Sequence, residues 1–333
     1  MAQGPRTQNL ALRRDPPSPL PSHPHPARGH RRLFLSRRPT ARETLTRAGP
    51  APGSPIARLF APPSIPDTGS VKTQLAALLA TAALLSSTPA FGWGREGHII
   101  IGKLASLHLS SQARSQVAAL LNPGETLESV STWADEVRSN RPESSTWHYI
   151  NIPITANSSW RKYCPDSGCV VSIIPGMERR LADRSLSRDQ RREALFFLVH
   201  FIADLHQPMH IADMGDRGGN DVPTVYNSYA GNLHGTWDTG LILGYKQTDA
   251  AMFDRIALRA GFWERRRITR GGPEQWIWEA HAISRDVAYP DLPKQRPALL
   301  GQDYARAARP HVERQLRRAG LRTASVLNRI LGR

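Results

Sequence analysis

The sequence predicts an all-α protein with a single domain over residues 93–333, and three observations support this prediction. Apolar residues recur at spacings of three and four through most of this region, as expected for helices with one buried face. Ser187 and Gln190 fit a capping box at the start of the longest apolar segment, and Pro208 ends that segment. No stretch alternates apolar and polar residues over a useful length, so no strand is expected.

The elements follow from this periodicity in chain order. Three amphipathic helices open the region, and a short extended segment closed by a proline follows them. The central helix is apolar on almost all sides from Ala194 to Leu205, which predicts a buried position. A loop rich in Gly, Asn and Asp then separates it from a shorter helix. The predicted elements are helices at 97–109, 111–121 and 125–139, the extended segment at 147–153, the central helix at 187–207, the loop at 213–232, and helices at 233–243, 248–268, 273–288 and 302–331.

The first 92 residues have a different composition. Residues 1–70 contain 14 of the 27 prolines, 11 Lys or Arg and 3 Asp or Glu, without apolar periodicity, so we expect them to be disordered. Residues 71–92 have the pattern of a signal peptide, and their apolar run of roughly 12 residues is too short to span a bilayer. We therefore expect cleavage between Gly92 and Trp93 and a periplasmic or secreted protein without a membrane anchor.

A signal peptide that begins 70 residues into a chain has two explanations. Translation starts at or near Val71, or the chain has an unusually long segment before the apolar run. Residues 93–333 contain 32 Lys or Arg and 25 Asp or Glu, a net charge of +7, which weakly favours an anionic substrate. The composition implies no stable protein partner and leaves the oligomeric state open.

Cys164 and Cys169 are the two cysteines of the chain. In an exported protein we expect them to form a disulfide that closes a small loop, with two free thiols as the alternative. A loop this short gains little chain entropy, so the bond would shape a surface loop.

Histidine and aspartate recur four residues apart at two places. His200 and Asp204 project from one face of the central helix, and His234 and Asp238 from one face of the next helix. A single pair of this kind can be structural, with the histidine donating to the carboxylate. Two pairs favour a metal, because burying Asp204 without a counter-charge would cost several kcal/mol. Imidazoles and carboxylates without thiolates suit catalytic Zn²⁺.

The segments WGREGH, WADEVR, WHYINIP, HFIADLHQPMH and NLHGTWDT together resemble the S-one/P-one family of trinuclear zinc nucleases, the mung bean-type single-strand nucleases. The resemblance covers essentially all of residues 93–333. It implies a secreted all-α enzyme with the helical fold shared by phospholipase C and these nucleases. Its substrates would be single-stranded RNA and DNA, cleaved to 5′-nucleotides, and 3′-nucleotides, from which many members remove the 3′-phosphate.

The resemblance also implies three Zn²⁺ ions in one cleft. The amino nitrogen and carbonyl oxygen of Trp93 would bind the second ion, an aspartate would be shared by the first two, and water would complete the third site. The implied ligands of the first ion are Asp135, His148, His200 and Asp204. Those of the second ion are Trp93, His98 and the shared Asp204, and those of the third ion are His210, His234 and Asp238.

Metal chemistry suggests how such a site would act. A hydroxide that bridges the two buried zinc ions would be the nucleophile, and Asp135 would orient it. The third zinc would bind the scissile phosphate and stabilise the leaving 3′-oxygen. Arg138 would neutralise charge that develops on the phosphoryl oxygens; its alternative is a solvated surface arginine.

Two other functions fit parts of the pattern. A zinc phospholipase C shares the scaffold and the N-terminal tryptophan, but those enzymes carry Glu in the later pair and have a shorter segment between the last two histidine ligands. Asp238 and the long 211–233 segment therefore favour the nuclease. A non-catalytic secreted zinc-binding protein would need neither an open coordination position nor Arg138.

Overall fold

Helices form most of the chain that the structure describes, as the sequence predicts. The computed structural model describes residues 93–157, 159–245, 249–258 and 261–332. The segments at 1–70 and 71–92, with the expected cleavage site after Gly92, lie outside the described residues. The α-helices are α1 (Arg95–Leu107), α2 (Ser111–Leu120), α3 (Trp133–Val137), α4 (Val170–Ala182), α5 (Arg188–Asp204), α6 (Leu233–Gly235), α7 (Leu241–Leu243), α8 (Asp249–Leu258), α9 (Phe262–Ile268), α10 (Pro273–Ile283) and α11 (Gln302–Leu331).

Short elements connect these helices. Short 3₁₀-helices lie at Arg138–Asn140, Pro142–His148, Trp160–Tyr163 and Pro208–His210, and π-helical turns lie at Thr236–Gly240 and Ser284–Ala288. The strands are β1 (Ile152–Pro153), β2 (Ala212–Asp213), β3 (Pro223–Tyr226), β4 (Tyr229–Asn232) and β5 (Ala298–Leu299). The strand β1 pairs in parallel with β2, and β3 lies between antiparallel β4 and parallel β5.

Helix α5 is the central helix that the sequence predicts. Its capping box is confirmed: Ser187 Oγ accepts from Gln190 N at 3.2 Å, and Gln190 Oε1 accepts from Ser187 N at 3.0 Å. Every residue from Ala194 to Asp204 is buried. Ile202 belongs to one apolar cluster, whereas Ala203 belongs to a second cluster that includes Trp93. The C-terminal turn of α5 therefore lies where the two clusters meet.

The prediction of a helix at 125–139 is wrong for the first half of this segment. Residues 125–132 are not helical and form turns over 127–132, and only Trp133–Val137 is α-helical. Thr126 Oγ1 accepts from Ser129 N at 3.1 Å, and Ser129 Oγ accepts from Thr126 N at 2.9 Å. These side chains give the backbone hydrogen-bond partners that compete with a helical ladder.

The expectation of no strands is also wrong. The segment predicted as a loop at 213–232 contains the hairpin of β3 and β4, which turns at Asn227 with φ of 51°. Strand β3 is only four residues long, and its Thr224 and Tyr226 are buried. An alternation this short gives little signal in the sequence.

Two further helix predictions differ from the structure. Helix α4 contains Pro175 and Gly176, residues that disfavour the interior of a helix, and the periodicity did not reveal it. The helix predicted at 248–268 is divided into α8 and α9. None of the described helices combines the length and apolar character needed to cross a membrane.

Helix α1 packs closely against the turns that precede α3. A Cβ atom added at Gly102 would lie 2.7 Å from the carbonyl oxygen of Leu127 and 2.8 Å from Cα of Glu128. Both neighbours are backbone atoms, which cannot rotate away. Gly176 in α4 is a matched contrast, because the nearest atom to its added Cβ is a guanidinium nitrogen of Arg179 at 4.0 Å.

Alanine at these two helical glycines is expected to change stability in opposite directions. Gly102→Ala should lower the free energy of unfolding by about 1–3 kcal/mol, because the added methyl overpacks against backbone. Gly176→Ala should raise it by about 0.5–1 kcal/mol, because alanine favours a helix and meets open space. Thermal or denaturant unfolding of both variants measures this, and shifts of the same sign would contradict the packing argument.

Candidate metal centre

Eight histidine and aspartate side chains from separate elements meet at the C-terminal end of α5. His98 comes from α1 and Asp135 from α3, while His200 and Asp204 come from α5 itself. His148 and His210 end 3₁₀ turns, and His234 and Asp238 lie in α6 and the π-helical turn that follows it. All are buried except Asp135, whose side chain is 8% exposed.

The small strands bring two of these histidines together. Ile150 N donates to the carbonyl oxygen of His210 at 2.8 Å, and Ile152 N donates to Ile211 O at 3.0 Å as β1 begins to pair with β2. The backbone after His148 therefore runs beside the backbone after His210. The hairpin of β3 and β4 leads directly into α6, which places His234 in the same region.

Asp204 is at the centre of the cluster. Its Oδ1 lies 3.3 Å from Nε2 of His98. Its Oδ2 lies 3.0 Å from Nδ1 of His148 and 3.1 Å from Nε2 of His200. Asp135 faces the same two histidines, since its Oδ1 lies 3.5 Å from each of these ring nitrogens. The two carboxylates thus share their histidine neighbours.

Three groups of donors are close enough to hold a metal ion. Within each group the candidate ligand atoms lie within 4.8 Å of one another. The groups are His98, Asp135 and His200; His148, His200 and Asp204; and His210, His234 and Asp238. The last group contains the three side chains of the third predicted site, and their role as ligands stays a prediction. The first two groups share His200, so the predicted division of these donors between two ions stays a prediction.

Trp93 lies at the start of α1 and is fully buried. The next residue, Gly94, donates its amide hydrogen to the carbonyl oxygen of Asp238 at 3.0 Å. The start of the described chain is thereby held against the third group of donors. The predicted roles of the amino nitrogen and carbonyl oxygen of Trp93 as ligands remain predictions.

Backbone carbonyls fix the orientation of three of the histidine rings. Nδ1 of His200 donates to Ser131 O at 2.7 Å, Nδ1 of His210 to His148 O at 2.8 Å, and Nδ1 of His234 to Gly218 O at 2.8 Å. Each ring therefore presents Nε2 to the cluster, an arrangement typical of metal-binding histidines.

The donor set fits divalent cations. Several buried atoms of these eight side chains have no hydrogen-bond partner among the described residues, although such atoms are normally paired. These atoms are both ring nitrogens of His98, Nε2 of His148, His210 and His234, and Oδ1 of Asp135 and Asp204. Imidazole and carboxylate donors that lack other partners are the ligands that zinc uses in proteins.

The electrostatics also point to a need for positive charge. Burial is the largest influence on Asp204 and opposes its ionisation, but the charge of His200 and hydrogen bonds from nearby histidines lower its pKa well below the usual range. For His200, burial acts against the charged form, yet Asp204 and Asp135 raise its pKa well above normal. A metal ion would supply the positive charge that a protonated His200 otherwise provides, and would displace that proton.

The third group has a different charge balance. Burial raises the pKa of Asp238 well above its usual range, against a hydrogen bond from Gln207 that lowers it. Burial, together with His210, lowers the pKa of His234 to about 3. A neutral histidine is the form that binds a metal, and a cation would favour the ionised form of Asp238.

Gln207 is a residue that the sequence analysis did not identify. It is fully buried, its Nε2 donates to Oδ1 of Asp238, and its Oε1 accepts from Met209 N at 2.5 Å. Both ends of the amide are used, so the side chain fixes one oxygen of Asp238. The sequence around Gln207 did not indicate a supporting role, because its partner Asp238 is distant in the sequence.

Arg138 lies on the 3₁₀ turn directly after α3, half-buried, and Nη2 donates to Ser145 O at 3.0 Å. Its charge is one of the influences that lower the pKa of His234, after burial and His210. The Arg138 side chain is therefore within electrostatic range of His234. A catalytic role for Arg138 is a proposal that this proximity supports.

The predicted disulfide is present between Cys164 and Cys169. It closes a loop in which Ser167 O accepts from Nε1 of Trp147 at 2.7 Å. The loop therefore contacts Trp147, the residue before His148. His206 faces away from the metal donors, because its Nε2 accepts from Arg322 Nη1 at 2.8 Å.

Comparison with known proteins agrees with this geometry. The model of a family described as S1/P1 nuclease matches residues 93–332, so the chain belongs to the S1/P1 nuclease family and is an endonuclease. The chain is 31% identical to endonuclease 2 of Arabidopsis thaliana over 281 residues, 77% of this chain and 96% of that protein. It is 30% identical to nuclease P1 of Penicillium citrinum over 269 residues, 72% of this chain and 98% of that protein.

A shorter match joins the chain to nuclease S1 of Aspergillus oryzae, with 32% identity over 170 residues, 49% of this chain and 58% of that protein. The predicted resemblance is thus confirmed at the level of the family. The three groups of His and Asp side chains in this chain could bind several metal ions.

Replacing Gln207 with Met is expected to weaken metal binding at the third group selectively. Methionine has a similar length but cannot donate to Asp238, and loss of such a supporting hydrogen bond typically costs about 10–100-fold in metal affinity. Titration of the metal-depleted protein with zinc, followed by calorimetry, measures this. Gln207→Glu, which keeps the acceptor for Met209 N, serves as a comparison, and unchanged affinity in Gln207→Met would refute the supporting role.

Proposed function

We propose that the chain is a zinc-dependent phosphodiesterase that hydrolyses single-stranded RNA and DNA to 5′-nucleotides and also acts on 3′-nucleotides. The observation that carries this proposal is the set of eight histidine and aspartate side chains, buried Asp204 among them, that meet at the C-terminal end of α5. The names of the relatives, nuclease P1 and nuclease S1, support a nucleic-acid substrate.

Three zinc ions are the proposed metals. Nitrogen and oxygen donors without thiolates are compatible with zinc, and eight side chains exceed what one tetrahedral ion requires. The proposed ligands are those implied by the sequence, with Asp204 shared between the first two ions and Trp93 contributing to the second. When bound, zinc would lower the pKa of water toward about 7 and offset the negative charge of a phosphate.

The residues of the chain have separate proposed roles around the reacting phosphate. Asp135, at the edge of the cluster and partly exposed, would accept a hydrogen bond from the attacking water and orient it. Arg138 would bind the phosphoryl oxygens, since a guanidinium matches phosphate geometry and keeps its charge. Trp147, which precedes His148 and donates to the disulfide loop, would help to exclude bulk water.

The family match favours the nuclease over a zinc phospholipase C, and the partly exposed Asp135 and nearby Arg138 favour a catalytic site over simple zinc storage. We also propose export, with cleavage before Trp93 releasing the amino group that would bind zinc. N-terminal sequencing of the exported chain tests this, and a first residue other than Trp93 would contradict it.

Protein that starts at Trp93 is expected to contain about three zinc ions and to cleave single-stranded DNA in an EDTA-sensitive reaction. Asp204→Asn should lose two ions, because the shared carboxylate contacts both buried groups, whereas Asp238→Asn should lose one. Elemental analysis of the three proteins measures the stoichiometry. Equal losses in the two variants would contradict the shared position of Asp204.

Replacing Arg138 with Ala is expected to lower kcat by about 10²–10³-fold, the usual effect of losing one group that stabilises transition-state charge. Zinc content should stay unchanged, because Arg138 is not a ligand. Arg138→Lys keeps the charge without the bidentate geometry and should recover part of the rate. Steady-state kinetics with elemental analysis measures both effects, and a parallel loss of zinc and activity would refute the role.

A further inference from the structure

Trp263 is unlike every other tryptophan of the chain. Four of the eight tryptophans are buried, three are half-buried against a core cluster, and Trp263 is 77% exposed. Its neighbour Phe262 is 61% exposed, and the two rings make an edge contact with centroids 5.2 Å apart. Two large aromatic side chains side by side in solvent mark a contact surface more often than a chance exposure.

The same helix is strongly basic. The segment 261–270 contains four arginines and one glutamate. Arg266, Arg267 and Arg270 are exposed, whereas Ile268 is buried and anchors the opposite side of α9. Trp263 is followed at three and four residues by Arg266 and Arg267, so an aromatic ring and two guanidinium groups share the outer face of the helix. We call Phe262, Trp263, Arg266, Arg267 and Arg270 the α9 surface.

The carboxylates near the α9 surface are paired with other residues. Glu264 pairs with Arg317 at 3.2 Å, and Glu279 pairs with Arg318 at 3.1 Å and Arg322 at 2.7 Å. Within the described ranges, no carboxylate pairs with the arginines of the α9 surface. Their charge is therefore not neutralised locally, and exposed Arg314 on α11 extends the same basic region.

The α9 surface is attached to the helix that carries the metal donors. The carbonyl oxygen of Ile268 accepts from Nε of Arg322 at 2.9 Å, and Arg322 in turn donates to His206, two residues after Asp204. Arg322 is buried and also forms two hydrogen bonds with Glu279 at 2.7 and 2.9 Å. This network holds α9 in a fixed position relative to the end of α5.

We propose that the α9 surface is a second binding surface for single-stranded nucleic acid, outside the metal centre, on which bases stack against Trp263 and Phe262 while arginines bind phosphates. The proposal rests on the proposed function, which supplies the substrate class. Alternating aromatic rings and basic side chains are what single strands require, because every base has a face to stack and every link carries a charge. A second copy of this chain would bring the same positive charge to the contact, which opposes self-association through this surface.

The α9 surface would affect the binding of long substrates only. A strand long enough to reach both the α9 surface and the metal centre would be held at two places, and its affinity would rise without a change in the chemical step. A dinucleotide fills only the metal centre. The two substrates therefore separate binding at the α9 surface from hydrolysis.

The test is binding of a fluorescent single strand of about 30 thymidines, made nuclease-resistant by phosphorothioate links, measured by anisotropy with the zinc-loaded protein. Trp263→Ala is expected to weaken binding roughly 10-fold, as for loss of one stacked base, and Trp263→Phe should restore most of it. The double variant Arg266→Gln, Arg270→Gln should lower the dependence of affinity on salt concentration by about 1.4 units of log–log slope, because about 0.7 unit is lost with each phosphate contact to a single strand. Arg184→Gln, an exposed arginine between α4 and α5, is the matched charge control and should behave as wild type.

Hydrolysis of a thymidine dinucleotide by the same proteins separates this proposal from the proposed function. Wild-type affinity for the long strand in Trp263→Ala would overturn the α9 surface even if the dinucleotide is cleaved normally. Failure of the wild-type protein to cleave either substrate would overturn the function, while the anisotropy result would still decide the surface. Self-association that Trp263→Ala abolishes, seen by light scattering, would show that the surface binds another copy and would also overturn the proposal.

Discussion

The burial of one carboxylate, Asp204, is the constraint on which much of the structure depends. An ionised side chain with no solvent exposure is costly unless positive charge and hydrogen bonds surround it. The chain meets this requirement with His98, His148 and His200, which come from three different elements. The apolar environment of α5 makes the negative charge of Asp204 costly. The histidines that converge on Asp204 from distant parts of the chain offset that cost.

The predicted histidine and aspartate side chains lie together in the structure, while their roles as ligands stay a prediction. Their spacing and the surrounding motifs are local features, which is why the sequence could indicate them. The pair His200 and Asp204 needs only helical periodicity to share a face, and the capping box defines where that helix begins. Gln207 could not be predicted in the same way, since its partner Asp238 lies 31 residues away and no pattern records the contact. The division of donors among ions is likewise a property of distances, which the sequence does not contain.

Irregular backbone supplies hydrogen-bond acceptors to the site at two places. Ser131 lies in the turns that replace the first half of the helix predicted at 125–139, and its carbonyl accepts from His200. Gly218, with φ of 63°, lies in the segment before the β3–β4 hairpin, and its carbonyl accepts from His234. A carbonyl inside a regular helix already has a partner, so irregular backbone is needed to provide a free one. Local departures from regular structure at these positions are consistent with a functional requirement.

The backbone hydrogen bond between Gly94 and Asp238 gives the first residues of α1 a thermodynamic link to the metal centre. Asp238 participates twice, with its carbonyl oxygen toward Gly94 and its carboxylate toward His210 and His234. Any cation that binds the carboxylate also favours the backbone position that holds Gly94 and buried Trp93. The free energy of metal binding would then help to keep Trp93 and Gly94 in place, and displacement of these residues would in return weaken metal binding.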